Sequence, residues 1–150
     1  MYAYRIADAR HPIFDPAGAM LHGGRWNSVG KRVIYAAGTY AGALLEVLIH
    51  ANLNRPPRNQ QMVRITIPDD VMIETAELAD ISGWDAADYI ASRAFGDAWY
   101  DAKRTAVLRV PSVVTQGREW NLVINTEHSQ FAAVRVDPPE PVLWDPRLVR

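Results

Sequence analysis

The polar residues best suited to chemistry lie in the first third of the chain. Gly23 and Gly24 let the backbone turn sharply and approach a ligand closely. They are followed directly by Arg25, Trp26 and Asn27. An arginine side chain can hold two phosphate oxygens at once through parallel hydrogen bonds. The segment therefore indicates a phosphate-binding turn, with an ordinary turn that carries a surface arginine and a packed tryptophan as the alternative.

Glu46 is the second candidate, because it is the acidic residue of an otherwise apolar helical segment. One turn before it lie Gly42 and Ala43, which are small, and one turn after it lies Ile49. His50 follows at the i+4 position and can pair with the carboxylate. An isolated buried charge is costly, so the carboxylate is expected either to face solvent or to be presented to a cleft with a partner.

Three further sets of polar residues carry weaker signals. Tyr35 lies in a predicted strand, where it is expected to pack or to form a platform for a flat ring. Ser112 follows Pro111 just past the end of another predicted strand, a position typical of turn serines. Asn121 and Asn125 flank an apolar strand and are expected to satisfy backbone groups rather than to touch a ligand.

The familiar catalytic and cofactor motifs are missing from this sequence. It contains no Walker A run, no Gly-x-Gly-x-x-Gly after a strand, and no Gly-x-Ser-x-Gly. The four histidines are scattered without the spacing of zinc ligands. There is no cysteine, which excludes disulfides, thiolate ligands and a cysteine nucleophile. We therefore expect a site that works without a metal ion.

Size and charge narrow the class of protein. A chain of 150 residues is the usual length of one domain, so residues 1–150 are expected to form a single unit. No apolar run of about 18 residues predicts a membrane span, and the N-terminus predicts no secretory signal. The absence of cysteine suits a reducing compartment, so a cytoplasmic protein is expected. A net charge of −1 argues against direct nucleic-acid binding.

The pattern of apolar residues predicts an α+β domain with a mixed, mainly antiparallel sheet and few helices. Helices interrupt the strands too rarely for a doubly wound fold. The first 24 residues are expected to be extended with turns. Thr39 is expected to cap a helix that ends near Ala51, and a second helical region is expected to break near Gly96. The predicted elements are strands at 31–36, 61–67, 71–74, 105–110, 120–124 and 132–136, and helices at 39–51 and 85–103.

Five segments, taken together and in this order, resemble the RES-domain family, which is named for an arginine, a glutamate and a serine. The resemblance extends from Tyr4 to about Phe131. The matching segments are Gly24-Arg25-Trp26-Asn27, Val33-Ile34-Tyr35-Ala36-Ala37, Ala43-Leu44-Leu45-Glu46, Val110-Pro111-Ser112 and Glu119-Trp120-Asn121-Leu122-Val123-Ile124-Asn125.

Members of that family are bacterial toxins of type II toxin–antitoxin modules, and they consume NAD⁺. The resemblance implies a split sheet similar to that of the ADP-ribosyltransferase toxins, and a helix-turn-helix antitoxin of the Xre type as partner. The family's arginine, glutamate and serine fall on Arg25, Glu46 and Ser112. Arg5 and Tyr35 match further positions that line the family's pocket.

These residue types suit cleavage of the bond between nicotinamide and ribose. Nicotinamide in NAD⁺ is a cation that leaves as a neutral molecule, so no general acid is required, and one carboxylate can stabilise the transition state. Glu46 is expected in that role, with Arg5 and Arg25 on the diphosphate. Tyr35 is expected to stack on nicotinamide or ribose, and Ser112 to hydrogen-bond to them. The acceptor of ADP-ribose, whether a protein, water or phosphate, stays open.

Two other functions compete with this one. The first is a non-enzymatic module that recognises a protein or RNA through a surface formed by Arg25 and Trp26. The second is an RNA-cleaving toxin, against which the near-neutral charge and the lack of a basic run both argue.

Overall fold

An eight-stranded mixed sheet forms the centre of the computed structural model, which describes residues 1–51 and 56–149. Within these ranges six of the seven strand pairings are antiparallel, and β4 alone runs parallel to its neighbour β5. The predicted α+β class with a mainly antiparallel sheet is confirmed. The strands are β1 (Tyr2–Asp8), β2 (Val33–Ala37), β3 (Gln60–Thr66), β4 (Ile73–Thr75), β5 (Val107–Pro111), β6 (Trp120–Asn125), β7 (Arg135–Val136) and β8 (Glu140–Pro141). Their order is β4-β5-β6-β2-β1-β3-β7, and β8 also pairs with β3.

Three α-helices accompany the sheet in the described ranges: α1 (Ala17–His22), α2 (Tyr40–Ala51) and α3 (Ile90–Asp101). The start of α2 is fixed as predicted, because the Thr39 hydroxyl oxygen accepts a hydrogen bond from the Gly42 backbone N–H at 2.9 Å. None of the helices in the part of the chain that the structure describes is long and apolar enough to cross a membrane.

The sheet is split between β1 and β2. β1 pairs with β3 along its whole length, but it shares only the residue pair Tyr4–Ala37 with β2. The Arg5 guanidinium bridges the opening, since Nε donates to the Ile13 carbonyl at 2.6 Å and Nη1 to the Tyr35 carbonyl at 2.8 Å. These bonds satisfy backbone acceptors that a strand partner would otherwise satisfy. The split predicted for this sheet is therefore present.

Both faces of the sheet are covered, and each carries its own apolar core. Neighbouring residues of β6 show this, because Leu122 packs into one cluster and Val123 into the other, as expected where side chains alternate between faces. The second cluster contains Trp26 and the fully buried Trp99 of α3. Helix α3 therefore covers the face of the sheet that also carries the glycine-rich segment.

The helix α3 runs without interruption through Gly96, so the predicted break at this position is wrong. Gly96 is buried, and a Cβ atom there would overlap with the carbonyl oxygen of Trp26. The glycine is thus explained by close packing rather than by a helix end. Residues 85–89, which were expected to be helical, form turns before Ile90.

Two other segments differ from the prediction because local polar contacts override the apolar pattern. Helix α1 lies in the segment expected to be extended, and the Asp15 carboxylate accepts a hydrogen bond from the Ala17 N–H at 2.8 Å near its start. Most of the strand predicted at 132–136 is instead a 3-10 turn at Ser129–Ala133, leaving only β7 extended. His128 Nδ1 caps this turn by accepting the Gln130 N–H at 3.1 Å.

The packing at Gly96 makes a prediction about stability. We expect Gly96→Ala to lower the free energy of unfolding by about 1–3 kcal/mol or more, because the added methyl group meets backbone that has to move. The control is Gly18→Ala, since Gly18 is exposed in α1 with open space around it and should gain roughly 0.4–1 kcal/mol. Urea unfolding of both variants measures the difference, and equal stabilities would contradict the close approach.

Candidate active site

A cleft of about 910 Å³ opens beside the split in the sheet. Both strands of the split, the helix α2 and the glycine-rich segment contribute to its walls. Four of the five residues predicted to form the site line this cleft, namely Arg5, Arg25, Tyr35 and Glu46. The fifth, Ser112, lies behind Glu46 and is 4% exposed. The fold therefore brings together side chains that are up to 107 positions apart in the sequence.

The Glu46 carboxylate is held by three side chains from different parts of the fold. Its Oε1 atom accepts a hydrogen bond from Asn121 Nδ2 at 2.9 Å and a longer one from the Ser112 hydroxyl at 3.5 Å. Its Oε2 atom lies 3.5 Å from His50 Nε2, which confirms the pairing expected from their i, i+4 spacing. With 27% of its side chain exposed, Glu46 faces the cleft rather than open solvent.

These contacts keep Glu46 ionised. Burial alone would raise the pKa of this carboxyl, but hydrogen bonds from His50, Asn121 and Ser112 outweigh burial and lower the pKa below its ordinary value. The hydrogen bond to Glu46 conversely raises the pKa of His50, against burial and the nearby Arg25 charge. At neutral pH the cleft therefore presents a carboxylate, with no bound proton, to any ligand.

Ser112 supports the carboxylate from beneath the cleft. It follows the last residue of β5, as predicted, and its backbone N–H donates to the Glu119 carbonyl at 2.9 Å. The hydroxyl oxygen lies 3.4 Å from the Thr115 N–H, while the hydroxyl donates to Glu46. The structure thus places Ser112 against Glu46, and its expected contact with a ligand stays a prediction.

The loop Gly24–Ser28 is attached to α3 through its backbone. The buried Ser92 hydroxyl donates to the Arg25 carbonyl at 2.6 Å, and Arg93 Nε donates to the Gly24 carbonyl at 2.8 Å. These contacts fix the main chain on both sides of the Arg25 side-chain attachment. The direction in which that side chain leaves the loop is therefore set by the helix.

Tyr35 holds the same loop from the sheet. Its hydroxyl donates to Asn27 Oδ1 at 2.6 Å and accepts the Trp26 N–H at 3.0 Å. Burial raises the pKa of Tyr35 well above its ordinary value, although the bond to Trp26 acts in the opposite direction. The hydroxyl therefore stays protonated and supports the loop, while the ring lines the cleft. Its predicted stacking on a ligand stays a prediction.

The Arg25 guanidinium is oriented by the turn that precedes α3. Its Nη1 atom donates to the Ala86 carbonyl at 2.9 Å and lies 3.3 Å from the Trp84 carbonyl. The guanidinium carbon lies 4.4 Å from the centre of the Tyr89 ring, a distance typical of a cation–π contact. Tyr89 adopts φ of 62°, which non-glycine residues rarely do. Such backbone strain is common beside functional sites.

Trp26 is not part of a surface. It is 2% exposed, and its ring meets Phe95 edge-to-face with 6.3 Å between centroids. The alternative function, recognition of a protein or RNA by a surface of Arg25 and Trp26, required an exposed indole. That expectation is wrong, because the tryptophan belongs to the core beneath α3.

Asn121 is the functional residue that sequence reasoning missed. It was expected to satisfy backbone groups, which is correct for Asn125, whose Oδ1 accepts the Glu127 N–H at 2.9 Å. Asn121 instead bonds to Glu46. The signal lies in the strand register, because β2 and β6 pair Ala37 with Asn121 and place the amide on one face with other cleft residues. A single sequence does not reveal that pairing.

The cleft can bind an anionic ligand and stabilise positive charge that develops within it. Two guanidinium groups line it together with one ionised carboxylate held by fixed donors. Preorganised groups of this kind need little rearrangement when charge forms in a transition state. Among residues 1–51 and 56–149 no cluster of three or more histidine, aspartate or glutamate side chains is arranged to hold a metal ion.

Comparison with known proteins finds the same family along nearly the whole chain. The profile of the RES domain matches residues 2–145. A curated relative from Sphingobium sp. (strain YBL2), named "Prs ADP-ribosylating toxin", is 40% identical over 98% of this chain and 96% of its own. A second relative, "Toxin Res" of Pseudomonas putida, is 31% identical over 79% of this chain and 81% of its own.

A solved structure shares the fold. The chain matches the structure titled "Crystal structure of the M.tuberculosis MbcT-MbcA toxin-antitoxin complex" with a TM-score of 0.74. The match covers 94% of this chain and 83% of the other at 18% identity. At that identity the likeness concerns the fold.

The contact between Glu46 and His50 makes a prediction about titration. The carboxylate stabilises the protonated imidazole, so the pKa of His50 lies above its ordinary value. The ion pair is therefore present at acidic pH and is lost as the pH rises through the His50 pKa. In Glu46→Gln the stabilising charge is gone while burial and Arg25 still favour the neutral ring, so this pKa should fall. NMR titration of the imidazole checks this, and identical curves for both proteins would show that the pair does not form.

Proposed function

Because this chain belongs to the RES-domain family, we propose that it is the toxin of a type II toxin–antitoxin module and that its substrate is NAD⁺. The family profile covers residues 2–145, and a relative 40% identical over nearly its full length is named for ADP-ribosylation. The proposed reaction is cleavage of the bond between nicotinamide and ribose.

The Glu46 carboxylate carries this proposal. It is ionised, it is held by Asn121 and Ser112, and it faces a cleft lined by arginines. Cleavage leaves an electron-poor ribose while the bonding electron pair goes to nicotinamide, which departs as a neutral molecule. A single fixed carboxylate suits this reaction, because it stabilises the positive charge that develops on ribose, and a second carboxyl group is not needed to protonate the leaving group.

The two arginines are proposed to bind the diphosphate. Arg25 uses Nη1 to hold backbone carbonyls, and Arg5 uses Nε and Nη1 in the same way. Each guanidinium carries five N–H donors, so donors are left for phosphate oxygens after these bonds are made. Both side chains are anchored before a ligand arrives, which reduces the entropy lost on binding.

Tyr35 and Ser112 complete the proposed site. The Tyr35 ring lines the cleft and offers a flat surface to nicotinamide or ribose. Ser112 is proposed to act on the reacting groups chiefly through Glu46, because its hydroxyl is buried against that carboxylate. Direct hydrogen bonding of Ser112 to nicotinamide or ribose requires the hydroxyl to turn toward the cleft.

The acceptor of ADP-ribose is the next question. A new bond at the ribose carbon forms to a nucleophile of a protein, to water or to phosphate, and nicotinamide is released in every case. The name of the Sphingobium relative favours transfer to a protein. Plain NAD⁺ degradation is the alternative, and labelled NAD⁺ with a cell extract distinguishes them by whether label remains on protein.

The proposed partner is an antitoxin. The solved structure that shares this fold is titled as a toxin–antitoxin complex, and the family resemblance points to a helix-turn-helix protein of the Xre type. NAD⁺ and such an antitoxin both occur in the cytoplasm, which is the proposed place of action.

The first functional prediction concerns Glu46→Gln. This change keeps the side-chain shape and removes the charge, so nicotinamide release should fall roughly 10²-fold or more while the melting temperature changes little. Nicotinamide is measured with NAD⁺ alone and with added cell extract. The control is Glu127→Gln, which removes a half-exposed carboxylate paired with Arg32 at 2.9 Å and should leave turnover intact. No release by folded wild-type protein under either condition would rule out the enzymatic function.

The second functional prediction concerns the antitoxin. Expression of this chain alone should halt growth, and Glu46→Gln should relieve the arrest. The complex with the neighbouring antitoxin, purified from co-expression, should not bind NAD⁺, because we expect the partner to cover Arg25 and Glu46. Calorimetry compares the complex with the free chain. Equal NAD⁺ affinity in both would show that inhibition does not work by occlusion.

A further inference from the structure

The two oxygens of the Glu46 carboxylate have different surroundings. Oε1 is engaged by the protein, with Asn121 Nδ2 at 2.9 Å and the Ser112 hydroxyl at 3.5 Å. Oε2 contacts His50, whose side chain is 75% exposed, at 3.5 Å. One oxygen is therefore anchored, and the other is open to exchange its partner with a ligand.

We propose that Asn121 is the positioning residue of this site, an inference that rests on the function proposed above. By holding Oε1, its amide turns Oε2 toward the cleft, where this oxygen accepts hydrogen bonds from the ribose hydroxyls of the substrate. The same hydrogen bond keeps the carboxylate ionised without adding a charge of its own.

The location of Asn121 favours it over the other two contacts. It lies in β6, where it pairs with Ala37 on one side and Val110 on the other, so its backbone is fixed by two neighbouring strands. Groups on such rigid elements are placed more accurately than groups on loops. The hydrogen bond from Ser112 is long at 3.5 Å, and His50 is largely exposed.

An aspartate at this position reverses the electrostatics while nearly keeping the shape. Asn121→Asp replaces the donor by a second carboxylate beside Oε1, and two carboxylates at this distance titrate as a pair with one strongly raised pKa. Arg5 on β1, Arg25 on its loop and His50 on α2 face the same cleft and are unchanged in the variant. Once the pair shares one proton, one negative charge and one hydrogen bond are present again, as in the wild type.

The experiment follows nicotinamide release from pH 5 to pH 9 for the wild type, Asn121→Asp and Asn121→Leu. We expect Asn121→Leu to lower kcat about tenfold to a hundredfold at every pH, the effect of losing one hydrogen bond to a charged group, with a smaller change in KM. Asn121→Asp should be as slow at high pH but should recover as the pH falls. A loss that arises only from damaged packing would show no such recovery.

A second measurement keeps this inference separate from the proposed function. The side-chain carboxyl of Glu46 is titrated by ¹³C NMR in the free chain, with its signal assigned from Glu46→Gln. Its pKa should rise in Asn121→Asp. An unchanged titration, or equal losses in both variants at every pH, would overturn the role of Asn121. If the wild type releases no nicotinamide, the proposed function fails, and the NMR titration alone then decides whether Asn121 controls Glu46.

Discussion

The close approach of α3 to the loop Gly24–Ser28 is the contact on which the remaining structure depends. Gly96 removes the side chain that would otherwise meet Trp26, so the helix and the loop touch through their backbones. Ser92 and Asp97 then bond to main-chain groups of the loop from the same helix. The core beneath α3 and the cleft above the loop are thus built on one contact.

The cleft uses neutral donors to keep one carboxylate charged. Glu46 is partly buried, and burial by itself favours its protonated form. The hydrogen bonds from Asn121 and Ser112 reverse this preference without introducing a positive charge that would compete for the ligand. His50 adds a contact whose strength varies with pH. Two fixed donors and one titrating donor therefore act on a single group.

Much of the fold follows from the sequence, because most of the strands and α2 have a clear apolar pattern and α2 has an N-cap at Thr39. The candidate site residues also follow from the sequence, through unusual neighbours in the case of Glu46. Long-range geometry is harder to predict. Gly96 marks a close contact with Trp26, 70 positions earlier, and not a helix break, and Asn121 gains its meaning only once β6 is paired with β2.

The contacts of Arg25 have a consequence for the divergence of related proteins. The guanidinium is held by the backbone carbonyls of Trp84 and Ala86, and the exposed Asp85 between them takes no part in these bonds. A carbonyl group is the same in every amino acid, so many substitutions in this turn leave the arginine in place. The outer surface of the turn is therefore free to drift in sequence, and a partner that contacts it can change alongside while the cleft keeps its chemistry.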